Sequence, residues 1–341
     1  MALRFQPTLL PAGFEPAALN DAGLVVGTRD EKRAVVLRRG RLSVLPGKSL
    51  GNVGRSRDSA LGVSSDGTVA GGSFWLFGEP FQQPGIATLW RNGRRIDAPK
   101  VEGFSRGSFS GVNARGEAVG FAGTATMWED RDASGEAEQT GVMTQHSKAI
   151  YFDGKTVHVE GWGGLSAIND AGATVGSLDG QAVFRTSAKA AWTKICRGEA
   201  VGVSPRGLVC GNQIAGDSKR IQSQVTIGGK TDTTYFPLWR GFLWQKGKLV
   251  ELPALPGFDE SRALGVRDDG WVVGVSGSEK KSATLWQDGK PVALDTLVSL
   301  RGWKLTEAFA VTPHGRILCA AEDAKGHRRH VLLTRTDKQQ P

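Results

Sequence analysis

Short alternations of apolar and polar residues, each the length of a single strand, run through the whole chain and are separated by glycine turns. ALNDAGLVVG (18–27) sets the pattern: small and apolar residues alternate, Asn20 and Asp21 open a turn, Gly23 closes it, and an apolar run ends on Gly27. Such a period of two predicts strands, and an Asn-Asp-x-Gly bend between them predicts a hairpin. The same figure returns at 60–71, 109–120, 167–176, 200–211, 263–274 and 308–319, making seven copies. Their turn glycines are Gly23, Gly67, Gly116, Gly172, Gly207, Gly270 and Gly315. A second glycine follows four residues later in six copies, with Cys319 in its place in the last. A glycine inside a strand predicts close approach of another backbone.

After each hairpin comes an apolar run, a short polar turn and another alternation, as in AVVLRRGRLSVLP (34–46), ATLWRNGRRIDAP (87–99) and ATLWQDGKPVALD (283–295). Four antiparallel strands per unit predict an all-β, seven-bladed β-propeller forming a single domain. The repeats run approximately 14–46, 58–99, 108–160, 164–196, 199–255, 261–298 and 307–335. Copy seven has sequence for only three strands. LRFQPTLLPAG near the start resembles GKLVELPALPG (247–257), so residues 4–10 are expected to supply the missing strand and close the ring. The competing architecture, a right-handed solenoid, would carry capped end repeats instead of complementary ones.

The motif Ala-x-x-Val/Ile-Asn-Asp-x-Gly-x-x-Val-Gly, followed by an Ala-x-Leu-Trp strand and an x-x-Gly turn, resembles the bacterial HAF-type repeat. The resemblance runs from about Arg4 to Arg335, with RAVVL, IATLW and SATLW where the family has its His-Ala-Phe triplet. It implies a propeller built of repeats and no general chemistry.

Composition narrows the function classes. The chain has 341 residues, 47 glycines and a formal charge of +9, spread along its length, which suits an acidic partner. Cys196, Cys210 and Cys319 are odd in number and widely spaced, and are expected to be buried thiols. The opening residues show no apolar run of leader length, and no stretch is apolar enough to span a bilayer. The expected compartment is therefore the cytoplasm.

Nucleophile-elbow, phosphate-loop and zinc-protease signatures are absent, and no cofactor or catalytic residue is expected. DRDASGE (130–136) starts like a calcium loop, but Gly141 stands where the closing carboxylate belongs. The repeat is interrupted at 72–85, at about 121–148 and at 212–240, all between second and third strands, so one face should be loop-rich. Phe74, Trp75, Phe77, Trp128, Tyr235, Phe236 and Trp239 in these insertions are the expected partner-binding residues, with Phe81 and Met127 beside them. The recurrent link aromatics Phe14, Phe104, Trp162, Phe258 and Trp303 are expected to pack between blades, and Trp90, Trp244 and Trp286 in the core. Arg38, Arg39, Arg41, Arg91, Arg94, Arg95, Lys246 and Lys248, joined by Lys155 and Lys290, should form a basic rim on the opposite face. The leading expectation is a non-enzymatic scaffold that binds a protein through the insertion face, monomeric by default. The alternatives are an enzyme of hydrolase or lyase type at the channel mouth, and nucleic-acid or polyanion binding through the rim.

Overall fold

The computed structural model of the chain describes residues 3–30, 33–48, 57–74, 85–131, 137–227 and 230–336, with backbone alone at 125–131, 137–146, 219–227 and 230–234. The structure opens on β1 (Phe5–Leu9). The first unit follows as β2 (Phe14–Leu19), β3 (Val25–Arg29), β4 (Arg33–Arg38) and β5 (Arg41–Val44), and the second as β6 (Arg57–Val63), β7 (Val69–Phe74), β8 (Gly85–Arg91) and β9 (Arg94–Asp97). Next come β10 (Arg106–Val112), β11 (Ala118–Arg131), β12 (Ala137–Phe152), β13 (Val157–Ile168), β14 (Thr174–Leu178), β15 (Gln181–Arg185) and β16 (Thr193–Val203). They are followed by β17 (Val209–Ile227), β18 (Lys230–Gln245) and β19 (Lys248–Leu252). The chain ends with β20 (Ser261–Val266), β21 (Val272–Ser276), β22 (Ser282–Gln287) and β23 (Lys290–Ala293), then β24 (Trp303–Val311), β25 (Ile317–Asp323) and β26 (Arg328–Arg335).

The result is an all-β, propeller-like arrangement of antiparallel four-stranded sheets. The expectation of seven separate sheets is corrected: four stand alone, and β10 to β19 form one ten-stranded sheet. The cause is local. Residues 157–162 of β13 pair with β12 and residues 163–168 with β14. In the same way β16 changes partner from β15 to β17 between Arg197 and Gly198. Gly161, Gly163 and Gly198 have φ of 152°, 133° and 140°, so the chain crosses from one group to the next without a loop. Elsewhere the links are longer.

β1 lies antiparallel to β26, from Phe5 opposite Arg335 to Leu9 opposite Val331, as the outer strand of the last sheet. The first strands meet side by side around a closed cycle: β2 with β6, β6 with β10, then β13, β16, β20 and β24, and β24 again with β2.

The repeat motif serves this packing. Each first strand skips one residue in its ladder, at Ala17, Leu61, Ser110, Ser166, Val201, Leu264 and Phe309. The bulge pushes a carbonyl toward the second strand. A Cβ at Gly71 would stand 1.8 Å from the Ser59 carbonyl oxygen, and one at Gly274 1.9 Å from that of Arg262. The second glycine thus accommodates the first strand of its own hairpin. In the last unit β24 bulges again at Thr306, its strand takes a different course, and Cys319 fits.

Asn20 and Asn169 each do two things: Oδ1 accepts the backbone N–H four residues on, and Nδ2 donates to a carbonyl in the next unit, that of Ser64 or Ser204. Asp21, Asp170 and Asp268 accept backbone N–H groups of the preceding unit, from His314, Ala114 and Arg206. What reads locally as turn chemistry also ties neighbouring units together. Trp90, Trp244 and Trp286 are buried as expected. The indole N–H groups of Trp90 and Trp286 reach the Pro46 and Pro253 carbonyls at 2.8 and 2.7 Å, so neither is left unpaired in the core.

Candidate functional site

In a four-strand meander the first and third turns lie at one end of the strands and the second turn at the other. The Arg91 guanidinium, beside a third turn, bonds Asp66 and the Ala114 carbonyl in first turns, both at 3.1 Å, which fixes these turns on a common face. All three insertions leave the opposite face.

Two of them are ladders where loops were expected. β11 and β12 stay paired out to Arg131 opposite Ala137, and β17 and β18 out to Ile227 opposite Lys230. At ~3.3 Å per residue each hairpin projects tens of ångströms beyond its sheet. Trp128 stands opposite Gly141 in the first ladder, and its side chain, with that of Met127, lies outside the described part. Trp75, Phe77 and Phe81 fall outside the described residues, as does most of the 130–136 stretch. Phe74 is half-buried beneath the Arg106 guanidinium at 4.4 Å. Tyr235 and Phe236 are 42% and 39% exposed near the base of the second hairpin, and the half-buried Trp239 carries the Arg262 guanidinium 4.8 Å above its ring.

One aromatic departs from its expected place. Among the link residues Phe14 is buried and Phe104, Phe258 and Trp303 are half-buried. Trp162, however, is 48% exposed, with the Lys148 ammonium 3.4 Å from its ring centre. Its loop-free glycine link leaves it no neighbouring loop to pack under, so it joins the insertion face.

Beside the second hairpin the face is concave. A cavity of about 340 Å³ is lined by Phe236, Pro237, Trp239, Arg262 and Leu264. It shares Lys281 and Glu307 with a depression of about 990 Å³ that continues past Trp303 and Arg329 to His330 and Glu15. The Lys281 and Glu307 charges meet at 3.4 Å on the divide. His330 sits at the far end with Glu15 at 3.5 Å and the Phe309 ring edge-on. Its burial lowers the imidazole pKa from the ordinary value, against the pull of Glu15 and Glu307. Of these groove residues the sequence singles out Phe236 and Trp239 for binding and Trp303 for packing between blades; their grouping is not visible there, because they come from separate units.

On the turn face Arg38, Arg39, Arg41, Arg94, Lys155, Lys246, Lys248 and Lys290 are exposed. Arg95 is not a rim residue. Its side chain is 11% exposed and lies between Asp58 at 3.1 Å and Asp97 at 2.7 Å, because it faces the sheet where those carboxylates gather. Arg91 is spent on Asp66 and the Ala114 carbonyl.

Among the described residues no group of three or more His, Cys, Asp or Glu side chains could hold a metal ion, and no helix is long and apolar enough to cross a membrane. Burial pushes the Cys196 thiol up to about 11 and that of Cys210 up to about 12, and raises that of Cys319 well above the ordinary value. The three thiols are unpaired, and Cys196 is half-buried where full burial was expected.

No family model matches the chain, and no curated protein is similar to it. Among solved structures, YCF48 bound to D1 peptide is similar over 99% of this chain and 97% of that one, with a TM-score of 0.50 and 13% identity. The likeness is one of fold. A protein described as a putative oxidoreductase (glucose dehydrogenase) from Thermus thermophilus aligns over 96% of this chain and 99% of its own, at 14% identity and a TM-score of 0.38, too low to support an argument.

Proposed function

We propose that this chain is a β-propeller scaffold that binds a protein partner through its insertion face. The ten-stranded sheet is counted here as three units sharing β13 and β16, which makes the propeller seven-bladed with β1 closing the last blade. The cycle of neighbouring first strands supports that count. The repeat likeness to HAF-type proteins agrees with it.

The observation that carries the functional reading is the placement of the interruptions. Three insertions interrupt the second-to-third connections of separate units, two of them rise from one face as long hairpins, and exposed Trp162, Tyr235 and Phe236 stand at that face. Exposed aromatics on a face that also holds a concave region are what protein-binding surfaces use. The fold neighbour YCF48 was solved with a D1 peptide, so a propeller of this general form accommodates a peptide. A second reading, polyanion binding on the turn face, is favoured by the exposed Arg38, Arg39, Arg41, Arg94, Lys246 and Lys248, which have no carboxylate partner among the described residues.

The test is affinity purification from the native cell, comparing wild type with a Trp162→Ala, Tyr235→Ala, Phe236→Ala variant. Recovery of a specific partner should fall in the variant. Equal recovery by both proteins would remove the insertion-face reading.

A further inference from the structure

Arg262 is the odd arginine of this fold. Its half-buried guanidinium stacks on Trp239 and, among the described residues, has no hydrogen-bond acceptor and no carboxylate partner. Other arginines drawn into the body of the protein each have at least one carboxylate or carbonyl partner, although Arg185, Arg267 and Arg329 also keep a buried donor without one. Arg95 has Asp58 and Asp97, Arg185 has Glu160 at 2.9 Å, Arg240 has Glu251 and the Asp259 carbonyl, Arg267 has Asp269 at 3.1 Å, and Arg329 has the Leu10 carbonyl. A guanidinium held against an aromatic ring with its donors unused is preset for an incoming carboxylate.

The nearby acids do not meet that need. Glu307 faces Lys281, and Glu260 is buried at 3% exposure and engaged elsewhere. The cavity around the guanidinium has an apolar side, Phe236, Pro237, Trp239 and Leu264, and a polar one that includes Ser278 and the Lys281–Glu307 pair. The open floor then runs on through the larger depression across two more units. A compact metabolite would fill the small cavity and leave the rest empty. An extended chain fits both.

We infer that this groove takes an extended peptide segment in which an acidic side chain lies next to an aromatic or aliphatic one. The apolar side chain packs on Phe236 and Trp239, the carboxylate rests on Arg262, and the chain continues past the Lys281–Glu307 pair. This deepens the insertion-face reading and rests on it.

The test uses the full-length protein, immobilised and panned against a random-peptide phage library. The best selected peptides are then synthesised and titrated by fluorescence anisotropy. Selected sequences should be enriched in Asp or Glu beside an aromatic or aliphatic residue. Arg262→Gln should weaken them by about ten-fold or more, the scale of one lost charge-assisted hydrogen bond, while Arg262→Lys keeps part of the affinity. Amidating the peptide's acid should cost the same in wild type and nothing further in Arg262→Gln, a coupling that general loosening of the fold would not produce. Selected peptides without acidic residues, or undiminished binding to Arg262→Gln, overturn the assignment. Two further proteins separate the two readings: Trp239→Ala, and a chain in which residues 217–237 are replaced by a short turn. Peptides that need the hairpin but ignore Arg262 sink only the carboxylate assignment. Peptides that bind both proteins undiminished, or the selection of none at all, sink the insertion-face reading with it.

Discussion

At the scale of single residues the repeat motif is a set of steric and electrostatic demands. Gly71→Ala should destabilise the protein by several kcal/mol, on the order of 3, because its Cβ would fall inside contact distance of the Ser59 carbonyl. Gly40→Ala, at φ 79° with nothing within 4 Å, should cost only about 1–2 kcal/mol. Urea unfolding of the two variants checks the contrast. Arg39 and Lys246 occupy left-handed positions, φ 49° and 48°, ahead of a glycine in two-residue turns that favour Asn or Asp. Lys246→Asn should therefore stabilise by about 0.5–1 kcal/mol in the same assay. For His330 the folded pKa lies below the ordinary 6.5, so the unfolded chain binds the proton more readily. The stabilisation is present above pH 6.5 and is lost as pH falls from there toward the folded value. His330→Gln should flatten that part of the stability profile. The turn glycines and the tryptophan core were legible in the sequence because each recurs in register. Arg262 was not, since its meaning lies in partners it lacks, and a lack of partners leaves no mark on a sequence.

Among the elements, β1 has the largest leverage. It covers the edge of β26, Arg4 donates to the Thr296 carbonyl at 2.9 Å, and Phe5 bridges Val298. Deleting residues 1–10 should expose that edge, lower Tm by about 5–10 °C and promote association between copies, visible in a melt and on size exclusion. The N-terminal strand was legible from its similarity to an outer strand elsewhere. The merging of three units into one sheet was not, because strand ends are normally found by the loops between them and at Gly161 and Gly198 no loop intervenes. The second long hairpin does carry a signal in the sequence. The alternation in QVTI and TDTTYF flanks Gly228 and Gly229, the pattern of two strands around a tight turn.

For the molecule as a whole, the two faces carry different chemistry. The turn face has paired cations such as Arg91 with Asp66, but Arg38, Arg39, Arg41, Arg94, Lys246 and Lys248 there are exposed with no carboxylate partner among the described residues. In the groove on the insertion face, by contrast, Lys281 meets Glu307 and His330 meets Glu15. The protein should be retained on heparin at low ionic strength and released steeply as salt rises, and Arg38→Glu, Arg39→Glu and Arg41→Glu together should shorten retention where Trp239→Ala does not. The buried thiols report on the intactness of the ring. At pH 8 Cys210 and Cys319 should resist a thiol reagent and Cys196 react slowly, with all three labelled on unfolding.

The pairing of Phe5 with Arg335 brings the first and last strands together at the turn face. A short peptide joining these two ends would leave every sheet as it is, and the chain could then be reopened at another outer turn, such as the one at Gly40. Such a circular permutant should fold to the same structure with its ends in a new blade. Either form, tethered by its ends to a surface, would present the long hairpins to solution.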